Sequence, residues 1–129
     1  MTSASLIHKR RALLKRFAKG WECRDITAVT ECMSTNCVYE ASVGPEPGRT
    51  FKGALAVRAG ILAMFDYDKG MKSRVHGLLM DDRRAAWEWT YVRTQTTGTS
   101  VTIRGCDIFE FKGIKIRRKS GFRKTIGNC

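Results

Sequence analysis

Over residues 5–21, Leu6, Ile7, Leu13, Leu14, Phe17 and Trp21 recur at helical spacing and basic side chains fill the other positions. That pattern predicts an amphipathic helix, with Gly20 as its stop. Asp25 is a good N-cap for a second, shorter helix running to about Met33, with Ile26, Val29 and Met33 inward. Residues 36–42 predict a short strand, and the density of Gly and Pro over 44–53 predicts a loop. A third helix is expected over 53–66. Ala54, Val57, Ile61, Met64 and Phe65 make its broad apolar face, and Leu55, Ala59 and Leu62 lie to one side. Asp68, Lys69 and Gly70 end it.

The period then changes from helical to alternating. Residues 73–80, 84–95, 100–112 and 114–123 predict four strands joined at Asp81-Asp82, Thr97-Gly98-Thr99 and Gly113. Trp87, Trp89 and Tyr91 alternate with Glu88, Thr90 and Val92, and Ile103, Asp107, Phe109 and Phe111 alternate with Arg104, Cys106, Ile108 and Glu110. In the last strand, Ile114, Ile116, Arg118, Ser120 and Phe122 alternate with Lys115, Arg117, Lys119 and Gly121. Alternation of this kind gives a sheet with one covered and one open face. Helices first and strands after, with short connections, predict an α+β fold with helices packed on one face of a curved antiparallel sheet.

Charge changes this picture at two places. The 129 residues carry a formal net charge of +12. Residues 1–20 hold six basic residues and no acid, residues 111–129 hold seven and no acid, and the middle sets eleven basic residues against twelve acidic ones. The excess therefore belongs to the first helix and the last strand, as a polyanion-binding face or as two solvated faces. Length predicts one domain, with its core at about 5–124 and a short tail at 125–129. No apolar run approaches the roughly 18 residues of a membrane span, and no cleavable leader is evident, so a cytoplasmic location with no membrane contact is expected. Five cysteines at irregular spacing, without Cys-x-x-Cys and with only His8 and His76 beside them, read as free thiols, and no metal site or cofactor is expected.

Asp107 is the most informative candidate for chemistry. It falls mid-strand on the face of Ile103, Phe109 and Phe111, where a carboxyl is costly unless paired or neutral. It reads either as a pocket acid that donates a hydrogen bond or shuttles a proton, or as an Asp satisfied by Arg118 or the backbone. Alternation places Arg118 and Ser120 on the same covered face. Trp87, Trp89 and Tyr91 line an apolar cavity or simply form core. Tyr39 and Glu40 point to opposite faces of the first strand, and either supplies a polar group. His76, alone on its strand, reads as structural.

The stretch Arg104-Gly-Cys-Asp-Ile-Phe-Glu-Phe111, then Gly113, then Ile116-Arg-Arg-Lys-Ser-Gly-Phe-Arg-Lys124, resembles the closing strands of SnoaL-like proteins of the nuclear transport factor two-like superfamily. Upstream, Cys37-Val-Tyr-Glu40, Phe51-Lys-Gly-Ala-Leu-Ala-Val-Arg58 and Trp87-Glu-Trp-Thr90 resemble the same family, and the likeness covers about residues 10–124. The resemblance implies a cone, a curved antiparallel sheet wrapped around three helices and open at one end to an apolar pocket. Related enzymes include ketosteroid isomerases, polyketide cyclases and limonene epoxide hydrolases. By that resemblance Asp107 matches the protonated oxyanion-hole Asp of the isomerases. The isomerase Tyr falls at Phe17, and its general base falls at Ala41, beside Glu40. The last-strand acid of the cyclases and hydrolases falls near Ser120.

These readings converge on a small apolar ligand bound in a pocket lined by Phe17, Tyr39, Phe65, Trp87, Trp89, Arg118 and Ser120. Catalysis, if present, is of acid/base type through Asp107 (isomerase, cyclase or hydrolase), with Arg118 tuning it. The other class is a noncatalytic module that binds an acidic protein or nucleic acid through the basic ends. A homodimer is expected through the outer sheet face, which offers Val92, Cys106 and Ile108 and, by alternation, Lys115, Arg117 and Lys119.

Overall fold

The computed structural model describes residues 2–94 and 96–124. Thr2 caps the first helix, α1 (Ser3–Glu22), by accepting from the Ser5 amide at 3.2 Å. The helix runs through Gly20 instead of stopping there. A Cβ at Gly20 would lie 3.1 Å from both Ala28 and Val29, so this glycine lets the second helix, α2 (Ile26–Glu31), cross closely. Asp25 caps α2 as its sequence predicts, accepting from the Ala28 amide at 3.1 Å.

α2 is shorter than expected, and the first strand, β1 (Met33–Glu40), begins at once. Within the predicted loop lies a short strand, β2 (Thr50–Lys52), paired antiparallel to β1. The third helix is α3 (Ala54–Tyr67). Four long strands follow: β3 (Lys72–Met80), β4 (Arg84–Thr94), β5 (Ser100–Lys112) and β6 (Lys115–Arg123). They form one six-stranded sheet in the order β2-β1-β6-β5-β4-β3. The sheet is mixed, because β1 runs parallel to β6. Among the described residues, no helix is long and apolar enough to cross a membrane.

The core lies between the helices and the concave sheet face. Leu13, Leu14 and Phe17 of α1, Val57 and Ile61 of α3, and Tyr39, Phe109 and Ile116 of the sheet are almost fully buried. Each such side chain contributes about 1.5–3 kcal/mol relative to exposure. On α3, Val57, Gly60, Ile61 and Met64 are buried; Ala54, expected on the apolar face, is exposed, and Leu55, expected to one side of it, projects into solvent.

A bulge in β6 decides what faces the core. Glu110 pairs with Arg118 but Phe111 pairs with Ile116, leaving Arg117 as an extra residue. One extra residue reverses the facing of everything beyond it. Lys119 therefore sits opposite Phe109, Gly121 opposite Asp107 and Arg123 opposite Gly105, all on the core side. Strict alternation had placed Lys119 outside and Arg118 inside; both assignments are reversed. A second irregularity, at Gly77 and Leu78 of β3, turns Leu79 outward to 73% exposure.

Gly60 shows where packing overrides helix propensity. Its Cβ would fall 2.5–2.7 Å from the Phe51 ring, which stacks on Tyr39 at 5.9 Å and carries the Arg49 guanidinium at 5.0 Å. Alanine gains about 1 kcal/mol of helix propensity at an ordinary site. Here Gly60→Ala is expected to destabilise the protein by a net ~1–3 kcal/mol, because the ring is already packed against Tyr39 and Arg49. Urea denaturation of the variant checks this; a gain in stability would show that Phe51 yields freely.

Candidate functional site

β4 sends Ala85, Trp87, Trp89 and Tyr91 to the concave face, and β5 sends Asp107 and Phe109 beside them. Trp87 and Asp107 are direct cross-strand neighbours. The Trp87 indole Nε1 donates to Asp107 Oδ2 at 2.8 Å, and the Trp89 Nε1 donates to Oδ1 at 3.1 Å. From β6, the Lys119 ammonium donates to Oδ1 at 3.2 Å. Both members of this ion pair are buried, with side chains 6% exposed. The Lys119 ammonium also lies over the rings of Trp21 at 4.5 Å and Tyr39 at 4.8 Å, so carboxylate and π faces together replace its lost water.

A second buried ion pair closes one end of this aromatic box. Arg123 grips the Asp68 carboxylate with two hydrogen bonds, at 3.1 and 2.8 Å, and its Nε donates to Ser42 Oγ at 3.3 Å. Its guanidinium lies against Tyr67, Trp89 and Tyr91 at 5.4–5.8 Å. Trp21 Nε1 donates to the Tyr91 hydroxyl at 2.6 Å, tying α1 to β4.

Between the two pairs lies a cavity of about 20 Å³, room for a water molecule or two. Phe17, Trp21, Tyr39, Trp87, Trp89 and Tyr91 line it, with Ser42, Ser73, Asp107, Lys119 and Arg123 as polar wall. The Ser73 hydroxyl is buried there and has no hydrogen-bond partner among the described residues.

Of the residues singled out by sequence, Phe17, Tyr39, Trp87, Trp89 and Asp107 line this cavity. Arg118 does not: it pairs on the outer face with Glu40 and Glu110. The cation beside Asp107 is Lys119 instead, by the β6 bulge. Ser120 is buried but opposite Ile108, on the other side of the strand. Phe65 packs edge-on behind Trp21 at 5.2 Å. Asp107 itself accepts in each of these side-chain hydrogen bonds, two at Oδ1 and one at Oδ2. That is the geometry of a carboxylate acceptor and not of the protonated donor expected from the isomerases.

Lys119, Arg123, Asp68, Ser42 and Ser73 were missed by sequence. The bulge hides the two cations among seven basic residues, and Asp68 read only as a helix end. The basic ends are also partly engaged in contacts within the chain. Arg10 donates to the Gly113 and Asp82 carbonyls, Lys115 to the Glu31 carbonyl, and Arg118, Lys119 and Arg123 hold carboxylates. His76 lies on the outer face, 3.1 Å from Thr90 Oγ1. Among the described residues, no three His, Cys, Asp or Glu side chains gather as a metal-binding group.

Burial pushes the Tyr91 hydroxyl up to about 12, and burial with the nearby Asp107 charge raises Tyr39 well above its ordinary 10.0. Below the unfolded-state value both forms of the protein keep these protons. Between about 10 and 12 the unfolded chain releases them first, so stability is lost as pH rises through that window. Denaturation midpoints measured from pH 8 to 12 should fall above pH 10. A Tyr91→Phe variant should lose less over this range, and an equal loss would place the titration elsewhere.

The fold has many solved counterparts, all at low identity in the cases compared. A nuclear transport factor two-like protein of unknown function from Mesorhizobium loti is 22% identical, with a TM-score of 0.74 over 92% of this chain and 93% of its own. A candidate SnoaL-like polyketide cyclase from Jannaschia is 12% identical, with a TM-score of 0.75 over 91% and 86%. TerC, co-crystallised with polyporic acid, is 19% identical, with a TM-score of 0.73 over 90% and 92%. No protein of curated function matches the sequence. These likenesses speak for the fold alone, but the SnoaL-like domain model matches residues 14–119, most of the 129-residue chain: it belongs to the SnoaL-like domain family.

Proposed function

We propose that this domain binds a small, largely apolar molecule inside the cone, with its polar end at the Asp107–Lys119 pair. The observation that carries this reading is the meeting of that pair and the unpartnered Ser73 hydroxyl on one aromatic-lined cavity. A buried hydroxyl without a partner costs about 1–3 kcal/mol, which a ligand oxygen or a bound water offsets. At its present size the cavity admits only water, so a larger ligand enters as the aromatic walls move apart. If the domain is an enzyme, Asp107 accepts a proton and Lys119 stabilises the oxygen anion that forms, a division of acid/base work suited to cyclase or isomerase chemistry. The solved neighbours include a candidate polyketide cyclase and a protein crystallised with a small organic compound, which agrees with this class.

The polyanion-binding alternative draws on the basic ends, of which Lys119 and Arg123 face inward and Arg118 is already paired. All three tryptophans of the chain line the cavity, so intrinsic fluorescence reports on it directly. Titration with a panel of small aromatic and polycyclic compounds should quench or shift this emission saturably, while duplex DNA at physiological salt should not bind. Silence toward every compound, together with salt-resistant DNA binding, would favour the interaction module.

A further inference from the structure

The two buried ion pairs differ in how firmly they are held. Asp107 and Lys119 stand on adjacent strands in the middle of the sheet. Asp68, by contrast, caps the C-terminus of α3 and opens the turn to Met71, in which Gly70 has φ 81°. Arg123 lines the cavity, and Asp68, which it holds, does not. The guanidinium is thus fixed by its rings and by Ser42, and the carboxylate it holds belongs to a segment end.

We propose that Arg123 is the ligand's carboxylate receptor and that Asp68 occupies it as an internal stand-in. On that view, which rests on the pocket proposed above, the domain takes an aromatic or polycyclic carboxylic acid. The ligand carboxylate displaces Asp68 from the planar two-hydrogen-bond face of Arg123 while its rings replace water among Trp21, Trp89 and Tyr91. Arg24 lies over the same Tyr91 ring at 5.7 Å, donating to the Trp21 and Met71 carbonyls, and adds a second positive charge at this end of the sheet. Lys119 and the Ser73 hydroxyl remain for a second oxygen of the ligand. The exchange is neutral in charge, because one carboxylate leaves as another arrives, and so avoids burying an unpaired ion.

The test compares benzoate, cinnamate and 2-naphthoate with their uncharged amides by calorimetry, on the full chain. At least one acid should bind wild type about tenfold more tightly than its amide, the usual margin of a charge-assisted two-point contact. Adding that acid should shift the Arg123 Nε–H resonance in ¹⁵N spectra of wild type, a readout that needs no variant. Asp68→Asn removes the competitor and should tighten acid binding about tenfold, with little effect on the amides. Arg123→Gln should abolish the preference for acids. Equal binding of acids and amides with a still Arg123 resonance would overturn the carboxylate assignment and leave the pocket standing. Failure of every acid and amide to bind would overturn both.

Discussion

Replacing Asp107 by alanine is expected to cost about 3–5 kcal/mol of stability, the range for removing one partner of a buried ion pair. Both side chains are 6% exposed, so solvent does little to screen the loss. The substitution leaves the Lys119 ammonium facing only the rings of Trp21 and Tyr39 and strips the acceptor from both Trp87 and Trp89 indoles. Lys119→Met is expected to cost less, because Asp107 keeps its two indole donors. The double variant Asp107→Leu with Lys119→Met should recover much of the loss, since no charge is then buried alone. Urea denaturation of wild type, Asp107→Leu, Lys119→Met and the double variant gives the coupling. A coupling near zero would show that the two groups do not share one interior contact.

That pair also marks where the sequence stopped being readable. Trp87, Trp89, Asp107 and Phe109 alternate without interruption on β4 and β5, which pair in register over their whole length, so their facing followed from period alone. α1 was legible because its apolar residues repeat over five turns, and its basic face is solvated except for Arg10. β6 was not, because its extra residue lies inside an unbroken basic run where no Gly or Pro announces a bulge. The cost of that single residue was the wrong cation beside Asp107. β2 was hidden for a different reason: three residues flanked by turns carry too little period to outweigh the Gly and Pro around them. The parallel pairing of β1 with β6 depends on chain crossing at long range, which no local pattern encodes. Asp68 read correctly as a helix end, but its bond to Arg123 spans 55 positions and had no signal in either segment.

Phe109→Ala should destabilise the protein toward the upper part of the ~3–5 kcal/mol range for such truncations. The ring is fully buried, 4.7 Å from Trp87 and 5.7 Å from Phe17, edge-on to both. How much a truncation costs depends on how far the surroundings collapse into the space. Here collapse is resisted from both sides, because the Phe109 backbone is laddered to Ala85 of β4 and Lys119 of β6. The two facing rings are also committed: Trp87 is held by its bond to Asp107, and Phe17 is wedged between Trp21 and Trp87. The missing ring therefore leaves an apolar void next to the polar cavity instead of a closed gap. Such a void stays dry and accepts a small apolar molecule. Benzene or toluene should raise the thermal midpoint of Phe109→Ala, through linkage to the folded state, by more than that of wild type. A loss below about 1 kcal/mol, with no response to benzene, would mean that Trp87 and Phe17 close over the site. The Trp87–Asp107 hydrogen bond would then not hold the indole in place, and the walls of the cavity would be softer than the rest of the core.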